Sequence, residues 1–232
     1  MPVSVTTLEG LPLLSHLPQV TLGHLAKHAS EKWLSKREVV LQKGERPSAL
    51  WFLLEGRLQG MDFTSDGREV GLYFIQPGDY FGEVAVIDHG VQPEFVTSLS
   101  RSRVLLVPQE PIRPILFGAP RVAESLCLRL ANRLRETAAQ RRILGLSNPV
   151  QRVCAQLVLL VSEKPVTAHL RISNAPTHQE LAIMINASRE TVTRVFQLLQ
   201  GRGVVERESN DLLILAPDSL RQISEGEMDM SK

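Results

Sequence analysis

Residues 177–194 are Thr-His-Gln-Glu-Leu-Ala-Ile-Met-Ile-Asn-Ala-Ser-Arg-Glu-Thr-Val-Thr-Arg, and this stretch decides the fold of the C-terminal part of the chain. Thr177 and Glu180 are spaced as a capping box, which marks the start of a helix. Ser188 is suited to cap a second helix. Asn186 lies between the two, where the chain must turn, and Asn tolerates the left-handed conformation. The stretch therefore predicts two short helices joined by a tight turn.

Apolar residues give the two helices faces that can pack together. Leu181 and Ile185 lie one helical turn apart, and Ala182 is small enough to let two helices cross closely. The second helix continues an apolar face and then meets two glycines that end it, the residues being Val192, Val195, Leu199, Gly201 and Gly203. This pattern predicts a helix-turn-helix unit.

The outward face of the second helix carries Arg189, Glu190 and Arg194. In the major groove of DNA, Arg can donate two hydrogen bonds to guanine, and Glu can accept one from cytosine. Arg189 and Arg194 are separated by roughly 7.5 Å of helical rise, about two base-pair steps. Any one of the three is explained equally well by a solvated helix face. Together with the caps, the turn and the small crossing residue, they favour a recognition helix.

The seven residues that begin at Ser188 resemble the recognition helix of the catabolite activator protein (CRP/FNR) family of bacterial transcription regulators. The resemblance implies that Arg189, Glu190 and Arg194 read a TGTGA-type half-site of double-stranded DNA. It implies further that Ser188 and Thr191 contact phosphates.

The residues at the start of the first helix match the family less uniformly. Thr177 and Gln179 fit its pattern, whereas His178 stands where the activator has a phosphate-contacting Arg. We expect this contact to be weaker or dependent on pH, although His178 taken by itself is better explained as a surface histidine without a role. A second alternative concerns the whole chain, which would be a cyclic-nucleotide-sensing or protein-interaction module that does not bind DNA specifically.

Composition is that of an ordinary globular protein with room for two domains in 232 residues. No apolar run approaches the roughly 18–20 residues of a membrane span, and no signal-peptide pattern opens the chain. Cys127 and Cys154 lack metal-ligand spacing and fit a reducing compartment. We therefore expect a cytoplasmic protein that does not contact a membrane.

Charge gives only weak guidance on partners. The net charge is +1, and residues 149–232 hold nine Lys or Arg against ten Asp or Glu. Residues 111–148 are more basic, with seven Arg against two Glu. Because the C-terminal part is not strongly basic, we expect modest non-specific affinity for DNA, with specificity resting on a few well-placed arginines.

Residues 33–108 alternate short β-type runs with glycine turns, and Asp66-Gly67 is a strong hairpin signal. The predicted strands are Val39–Leu41, Ala49–Glu55, Arg57–Phe63, Glu69–Ile75 and Arg103–Val107. This pattern suggests an antiparallel barrel or double-sheet roll. Residues 8–30 before it are expected to be helical, with breaks at Pro12 and Pro18.

Residues 120–144 predict one long helix, in which Val122, Leu126, Leu130, Leu134 and Ala138 recur at i+4 spacing. The stripe can pack on the chain's own roll or on the same helix of a second subunit. The length of the helix and the narrowness of the stripe favour the homodimer.

After a linker at 145–148, the sequence predicts a helix from Pro149 to about Val161, a strand near 169–172, the two-helix unit and a β-hairpin wing formed by 204–206 and 212–215. The fold class is α+β. We expect an antiparallel β-roll in residues 1–110, resembling a cyclic-nucleotide-binding domain, a long dimerisation helix in 111–145 and a winged helix-turn-helix in 146–232. The resemblance to the family covers most of residues 15–217.

The segment that begins at Phe81 resembles the start of the family's phosphate-binding cassette, which implies that Gly82, Glu83 and Val84 lie at a ligand site. In cyclic-AMP binders an Arg and a Ser follow ten and eleven residues after the Glu. Pro93 and Glu94 stand there instead. Proline has no N–H to donate, and a Glu carboxylate repels phosphate. Cyclic AMP held in the usual way is therefore not expected.

Two residues of the long helix also match the family's ligand site, Thr137 at the adenine position and Arg133 one turn earlier. Thr137 is at least equally consistent with a filling role on an amphipathic helix. Gly82 and Glu83 are likewise consistent with a tight turn and an internal salt bridge. Three alternatives stay open for the effector: cyclic di-GMP, served by basic side chains such as Arg129 and Arg135; another small molecule; or none. No cofactor is certain.

An enzyme is not expected. The six histidines include no His-x-His pair of the kind that metal-dependent cupins use, and we find no metal site in the sequence. Walker, Gly-x-Ser-x-Gly and Cys-x-x-Cys motifs are likewise missing. By resemblance, RNA polymerase is an expected partner, with residues 163–168 as its contact.

Overall fold

The computed structural model describes residues 3–161 and 170–228. The chain divides into two compact units, Met1–Arg133 and Leu134–Lys232, and the division falls within the long helix. The three functional segments expected from the sequence, with the helix as a segment of its own, remain a prediction.

The first unit is a β-roll with helices before and after it. Its elements in chain order are α1 (Val5–Glu9), α2 (Gln19–His28), β1 (Ser30–Leu34), β2 (Val39–Leu41), β3 (Ala49–Glu55), β4 (Leu58–Phe63), β5 (Glu69–Ile75), β6 (Tyr80–Phe81), α3 (Glu83–Asp88), β7 (Phe95–Ser98), β8 (Ser102–Pro108) and α4 (Gln109–Gly118). The strands form two antiparallel four-stranded sheets, ordered β1-β8-β3-β6 and β2-β7-β4-β5. The predicted roll is confirmed.

Two cores hold the roll together. One lies between the sheets and includes Leu53, Phe81 and Val104. The other joins the opposite face of one sheet to the flanking helices, and Phe52 and Leu105 are fully buried in it. Both cores follow from the alternation of side chains along each strand, which sends successive residues to opposite faces.

The helical prediction for residues 8–30 is only partly right. Helices α1 and α2 flank a segment of turns, and Pro18 is the residue that precedes α2. Proline has no N–H to bond back into a helix, so it can stand before a helix but not within its hydrogen-bonded part without cost. The last residue of the range, Ser30, begins strand β1, which the sequence pattern did not mark.

Helix α5 spans Pro120–Leu144, as expected. Val122 and Leu126 are buried in the roll's core, and Leu130 packs against that core, whereas Leu134 is 72% exposed. The expectation that the whole stripe pairs with a second subunit is therefore wrong for its first half. Each i+4 step advances about 400°, or 40° more than a full turn, so a strict i+4 stripe winds around the helix.

The second unit is a winged helix-turn-helix, as predicted. It holds the end of α5 and then α6 (Pro149–Leu160), β9 (Leu170–Ile172), α7 (His178–Met184), α8 (Arg189–Gly201), β10 (Val205–Glu208), β11 (Asp211–Ile214) and α9 (Pro217–Glu225). The wing strands form an antiparallel sheet in the order β10-β11-β9. Residues 163–168, the expected polymerase contact, lie outside the described residues.

Helix α9 was not anticipated from the sequence. Pro217 stands in its first turn, where a missing N–H costs nothing, and Leu220 and Ile223 are buried. Its signal was present in that Pro and in the spacing of those two apolar residues. Across the described residues, none of the helices combines the length and the apolar character that crossing a membrane requires.

Candidate nucleic-acid interface and effector site

Helix α7 begins at a reciprocal cap. The Thr177 hydroxyl accepts a hydrogen bond from the Glu180 N–H at 3.2 Å, and the Glu180 carboxylate accepts one from the Thr177 N–H at 2.9 Å. The predicted capping box is confirmed. Leu181 and Ala182 are each 1% exposed, so α7 is held by apolar packing on the face that the sequence indicated.

The turn between the helices follows from one residue. Asn186 has a φ of 49°, in the left-handed region, and the Ala187 N–H donates to the Ala182 carbonyl at 2.9 Å. A bond that spans six residues in this way closes the end of a helix when the residue before it is left-handed. Asn186 therefore ends α7 and redirects the chain into α8.

Helix α8 presents the predicted charged residues to solvent. The Ser188 hydroxyl caps it by accepting from the Thr191 N–H at 3.1 Å. Arg189, Glu190 and Arg194 are all exposed. The opposite face is buried through Val192, Val195, Phe196 and Leu199, of which Phe196 was not anticipated. An amphipathic helix of this kind can enter a groove without disturbing its own core.

Neighbouring groups set the ionisation of Glu190 and the orientation of Arg194. The pKa of Glu190 is lowered by its own backbone N–H and by the Ser188 hydroxyl, so its carboxylate is an acceptor at neutral pH. Arg194 Nη2 donates to the Thr191 hydroxyl at 3.4 Å, and that hydroxyl also lies 2.9 Å from the Ser188 hydroxyl. These bonds bias the orientation of Arg194 before any ligand arrives.

His178 is half-buried between α7 and α8 rather than free at the surface. Its Nδ1 lies 2.9 Å from the Thr193 hydroxyl, and its ring packs on Phe196 at 4.5 Å between centroids. Because Thr193 donates to the Arg189 carbonyl at 2.9 Å, Nδ1 of His178 must be the donor of the first bond. Burial lowers the pKa of His178, with Arg207 and Arg189 adding to the effect. Gln179 and Thr177 are exposed beside it.

The predicted ligand residues of the roll lie where β6 meets α3. Gly82 has a φ of 78°, and a side-chain carbon there would lie 3.1 Å from Leu41, so glycine fits both the backbone and the space. Glu83 opens α3 and is 1% exposed, and Val84 is half-buried.

Glu83 is paired with Arg133 of α5 at 2.5 Å. Burial raises the pKa of the Glu83 carboxyl to about 7, while its own backbone N–H and the Arg129 guanidinium oppose the rise. The touching guanidinium of Arg133 also favours the ionised form. A buried ion pair therefore lies at the position where the cassette would meet a ligand.

Tyr73 connects this pair to Glu94. The guanidinium carbon of Arg133 lies 3.5 Å from the centre of the Tyr73 ring, and the Tyr73 hydroxyl donates to the Glu94 carboxylate at 2.5 Å. Burial raises the pKa of Glu94 to about 7, the Asp62 charge adds to this, and Lys43 opposes it. The network places a second acidic group where a phosphate-neutralising Arg would be needed.

Arg129 is also engaged by the roll. It pairs with Asp79 at 2.9 Å and donates to the Tyr80 carbonyl at 3.1 Å. An internal salt bridge of Glu83 was one of the alternatives that the sequence left open, whereas the pair of Arg129 with Asp79 was not anticipated. Thr137 is exposed and belongs to the second unit. Among the described residues, no group of side chains could hold a metal ion.

Comparison with known families matches both units. The cyclic nucleotide-binding domain model matches residues 31–118, and the Crp-like helix-turn-helix domain model matches residues 151–223. The chain belongs to the CRP/FNR family of transcriptional regulators.

Characterised CRP/FNR regulators are similar along most of the chain. The CRP-like cAMP-activated global transcriptional regulator of Mycobacterium tuberculosis is 29% identical over 195 residues, which cover 83% of this chain and 87% of the relative. The cyclic AMP receptor protein of Thermus thermophilus is 26% identical, over 85% of this chain and 89% of the relative.

Solved CRP/FNR structures share the fold. FixK2 from Bradyrhizobium japonicum superposes with a TM-score of 0.71 at 20% identity, over 84% of this chain and 96% of that one. CLP of Xanthomonas campestris, described as a c-di-GMP responsive global regulator, superposes with a TM-score of 0.62 at 21% identity, over 85% of this chain and 99% of that one. At these identities the likeness concerns the fold alone.

Proposed function

We propose that this CRP/FNR regulator is a homodimer that reads a TGTGA-like palindrome, with α8 of each subunit in a major groove. The observation that carries the proposal is the division of α8 into a buried face and an exposed face with Arg189, Glu190 and Arg194 on it. Two arginines for guanine and an ionised carboxylate for cytosine match the donor and acceptor pattern of that half-site.

Phosphate contacts would come from the starts of both helices. Ser188 and Thr191 stand at the beginning of α8, and Thr177 and Gln179 stand at the beginning of α7. Helix starts favour anions because their N–H groups point outward, and such contacts fix the position of a protein on the duplex. We assign His178 a weaker contact, since its ring is neutral at pH 7 and bonded to Thr193.

Dimerisation would use the exposed part of residues 120–144. Leu128 is 59% exposed and Leu134 is 72% exposed, while Ala131 and Ala138 flank Leu134 at three- and four-residue spacing. That spacing is the one with which two helices pack side by side. A dimer would place two recognition helices about one turn of DNA apart, roughly 34 Å, as a palindrome requires.

The effector site would comprise Gly82, Glu83, Val84 and Arg133 of the first unit, whereas Thr137, which the resemblance also assigns to the ligand, belongs to the second unit. Glu94 argues against cyclic AMP in the usual orientation, since a carboxyl stands at the position where the resemblance would require positive charge for the phosphate. That carboxyl accepts a hydrogen bond from Tyr73, whose ring lies under Arg133. Cyclic di-GMP is a candidate, supported by the response attributed to CLP of Xanthomonas campestris. A different small molecule, or DNA binding without any effector, are the other two outcomes to test.

Regulation would proceed by a shift between existing conformations. A ligand that binds one arrangement of the roll and α5 better than another changes the fraction of molecules competent to bind DNA. We place the regulator in the cytoplasm, where its DNA target lies, and expect RNA polymerase as its partner at the promoter.

Fluorescence anisotropy on a TGTGA-palindrome duplex tests the proposal. The protein is titrated without ligand, with cyclic AMP and with cyclic di-GMP, at one salt concentration. Arg189→Ala should weaken operator binding by about 1–3 kcal/mol and relax the preference at one base pair, because one bidentate contact is lost. Arg221→Ala is the control. Arg221 is exposed on α9, and its substitution removes the same charge from the same unit.

Each result has a distinct meaning. Operator binding that Arg189→Ala weakens and Arg221→Ala leaves intact supports the recognition helix. Unchanged binding by Arg189→Ala would contradict its assignment. No preference for any operator in all three ligand conditions would favour the module that senses nucleotides or binds proteins without reading DNA.

A further inference from the structure

The carboxyl end of α7 leaves three carbonyl groups in the turn that leads to α8. These are the carbonyls of Met184, Ile185 and Asn186, which follow the last hydrogen-bonded turn of the helix. Carbonyls at a helix end have no partner within the helix and carry the negative end of its dipole. Their partners here are two side chains from elsewhere in the same unit.

Arg152 of α6 bonds two of these carbonyls with one nitrogen. Its Nη1 lies 2.8 Å from the Ile185 carbonyl and 3.0 Å from the Asn186 carbonyl, and the side chain is half-buried. A fixed positive charge at a helix carboxyl end interacts favourably with the dipole, and its hydrogen bonds are stronger than those of neutral donors. Arg152 therefore holds the turn between α7 and α8 from another helix of the same unit.

Gln140 bonds the third carbonyl. Its Nε2 donates to the Met184 carbonyl at 2.5 Å, and the residue is only 7% exposed although it lies near the end of α5. Its Oε1 is buried and has no hydrogen-bond partner among the described residues. A buried polar atom left without a partner costs stability. The bond that the Gln140 Nε2 group donates to the Met184 carbonyl is therefore the favourable polar interaction of this amide.

We propose that Arg152 and Gln140 are positioning residues for DNA recognition, which fix the direction in which α8 leaves the turn. The inference rests on the proposed function of α8. Neither residue lies on the exposed face of α8, so each would act through the backbone of 184–186. A displacement of about 1 Å at that backbone would move Arg189 and Glu190 away from the base edges that they must meet within hydrogen-bond distance.

The experiment compares Arg152→Met, which keeps an unbranched apolar stem and removes the donors, with Arg152→Lys, which keeps the charge. Arg221→Met is the matched control for loss of one positive charge. For each protein, anisotropy gives the Kd for the TGTGA palindrome and for a scrambled duplex of equal length, at several salt concentrations. Thermal unfolding by circular dichroism reports the stability of the same samples.

We expect Arg152→Met to raise the Kd for the palindrome about tenfold, a loss no larger than one bidentate base contact. The Kd for the scrambled duplex and the dependence on salt should not change, because no phosphate contact is lost. Arg152→Lys should recover part of the discrimination. Arg221→Met should show the same ratio as the wild type between the Kd for the scrambled duplex and the Kd for the palindrome.

Three results would overturn the inference. A shallower salt dependence in Arg152→Met would make Arg152 a direct phosphate contact. A lower unfolding temperature with unchanged discrimination would make its role purely structural. An equal loss in Arg221→Met would show a general charge effect. Wild-type protein that does not distinguish palindrome from scrambled DNA would instead contradict the proposed function itself.

Gln140 supplies an independent test if Arg152→Met does not fold. Gln140→Lys keeps a donor within reach of the Met184 carbonyl and removes the buried oxygen without a partner, whereas Gln140→Met removes the donor. We expect discrimination to be kept in Gln140→Lys and reduced in Gln140→Met. Equal discrimination in both variants would contradict the positioning role of Gln140.

Discussion

The side chains around Arg133 show how single residues can change what a shared fold binds. Arg133 touches the Glu83 carboxylate and lies over the Tyr73 ring, and Tyr73 in turn bonds Glu94. The cation on α5 is thus already neutralised by the protein, and the next acidic group lies within the same network. An anionic ligand at this site must compete with these carboxylates, so acceptance of a phosphate requires either protonation or rearrangement.

Protonation of Glu94 can be tested through stability. Burial raises its pKa to about 7 in the folded protein, against an ordinary value of 4.5. The folded state therefore holds this proton more tightly than the unfolded chain, and its contribution to stability is lost as the pH rises from about 4.5 through 7. Glu94→Gln keeps an acceptor for Tyr73 but has no carboxyl to titrate. Its unfolding temperature should therefore rise relative to that of the wild type as the pH increases from 5 to 8.

The measurement is the unfolding temperature of both proteins by circular dichroism at steps of pH. Glu69→Gln is the control for the loss of one carboxylate from the roll, because Glu69 is an exposed residue of β5, in the sheet that also holds the strand after Glu94, β7. Parallel curves for Glu94→Gln and the wild type would show that the carboxyl of Glu94 titrates alike in the folded and unfolded states.

At the scale of elements, the sequence predicted the helix caps, turns and element bounds that are determined by residues close together in the chain. The capping box at Thr177, the left-handed Asn186 and the cap at Ser188 are local, and each is confirmed. The bounds of α5, β2, β3 and β5 were also predictable, since glycine turns and apolar periodicity mark them. Where periodicity failed, in the stripe of α5, the cause was geometric, because i+4 spacing does not stay on one side of a helix.

Contacts between distant segments were not predictable from the sequence. Tyr73 and Glu94 are 21 residues apart, and Gln140 bonds a carbonyl 44 residues away. Arg152 likewise meets backbone atoms, and any residue type can supply a backbone carbonyl, so its partner leaves no mark in the sequence. The pairings around Tyr73 and the contacts that support the turn before α8 were therefore found only in the structure.

The exposed part of α5 carries the prediction for assembly. Leu134→Glu should convert the proposed dimer to monomer, because a charge placed in an apolar contact between helices is left without a partner. Leu72→Glu is the control, as Leu72 is also an exposed leucine but lies on β5 of the roll. Light scattering after size-exclusion chromatography gives the mass of each. A monomeric wild type, or an unchanged mass for Leu134→Glu, would remove α5 as the interface.

At the scale of the whole molecule, the proposed regulation requires that effector and operator act on one equilibrium. If an effector changes the Kd for the operator by some factor, the operator must change the Kd for the effector by the same factor. This reciprocity holds whatever path connects the sites, so it tests regulation without assuming a particular motion. The same fold can respond to a ligand, or to none, according to how strongly each conformation is favoured before either partner binds.

We therefore expect equal coupling in both directions for any true effector, with cyclic di-GMP as the first to test. Calorimetry gives its Kd with and without a saturating TGTGA palindrome, and anisotropy gives the Kd of the palindrome with and without cyclic di-GMP. Typical couplings are about 5–150-fold. Glu83→Gln should tighten binding of an anionic nucleotide, because Arg133 loses its competing carboxylate. Binding that leaves the operator Kd unchanged would make the nucleotide a ligand without a regulatory role. If neither the wild type nor Glu83→Gln binds cyclic di-GMP, this nucleotide is excluded as the effector. The regulator would then respond to a different effector, or to none, which agrees with the pairing of Arg133 with Glu83 inside the protein.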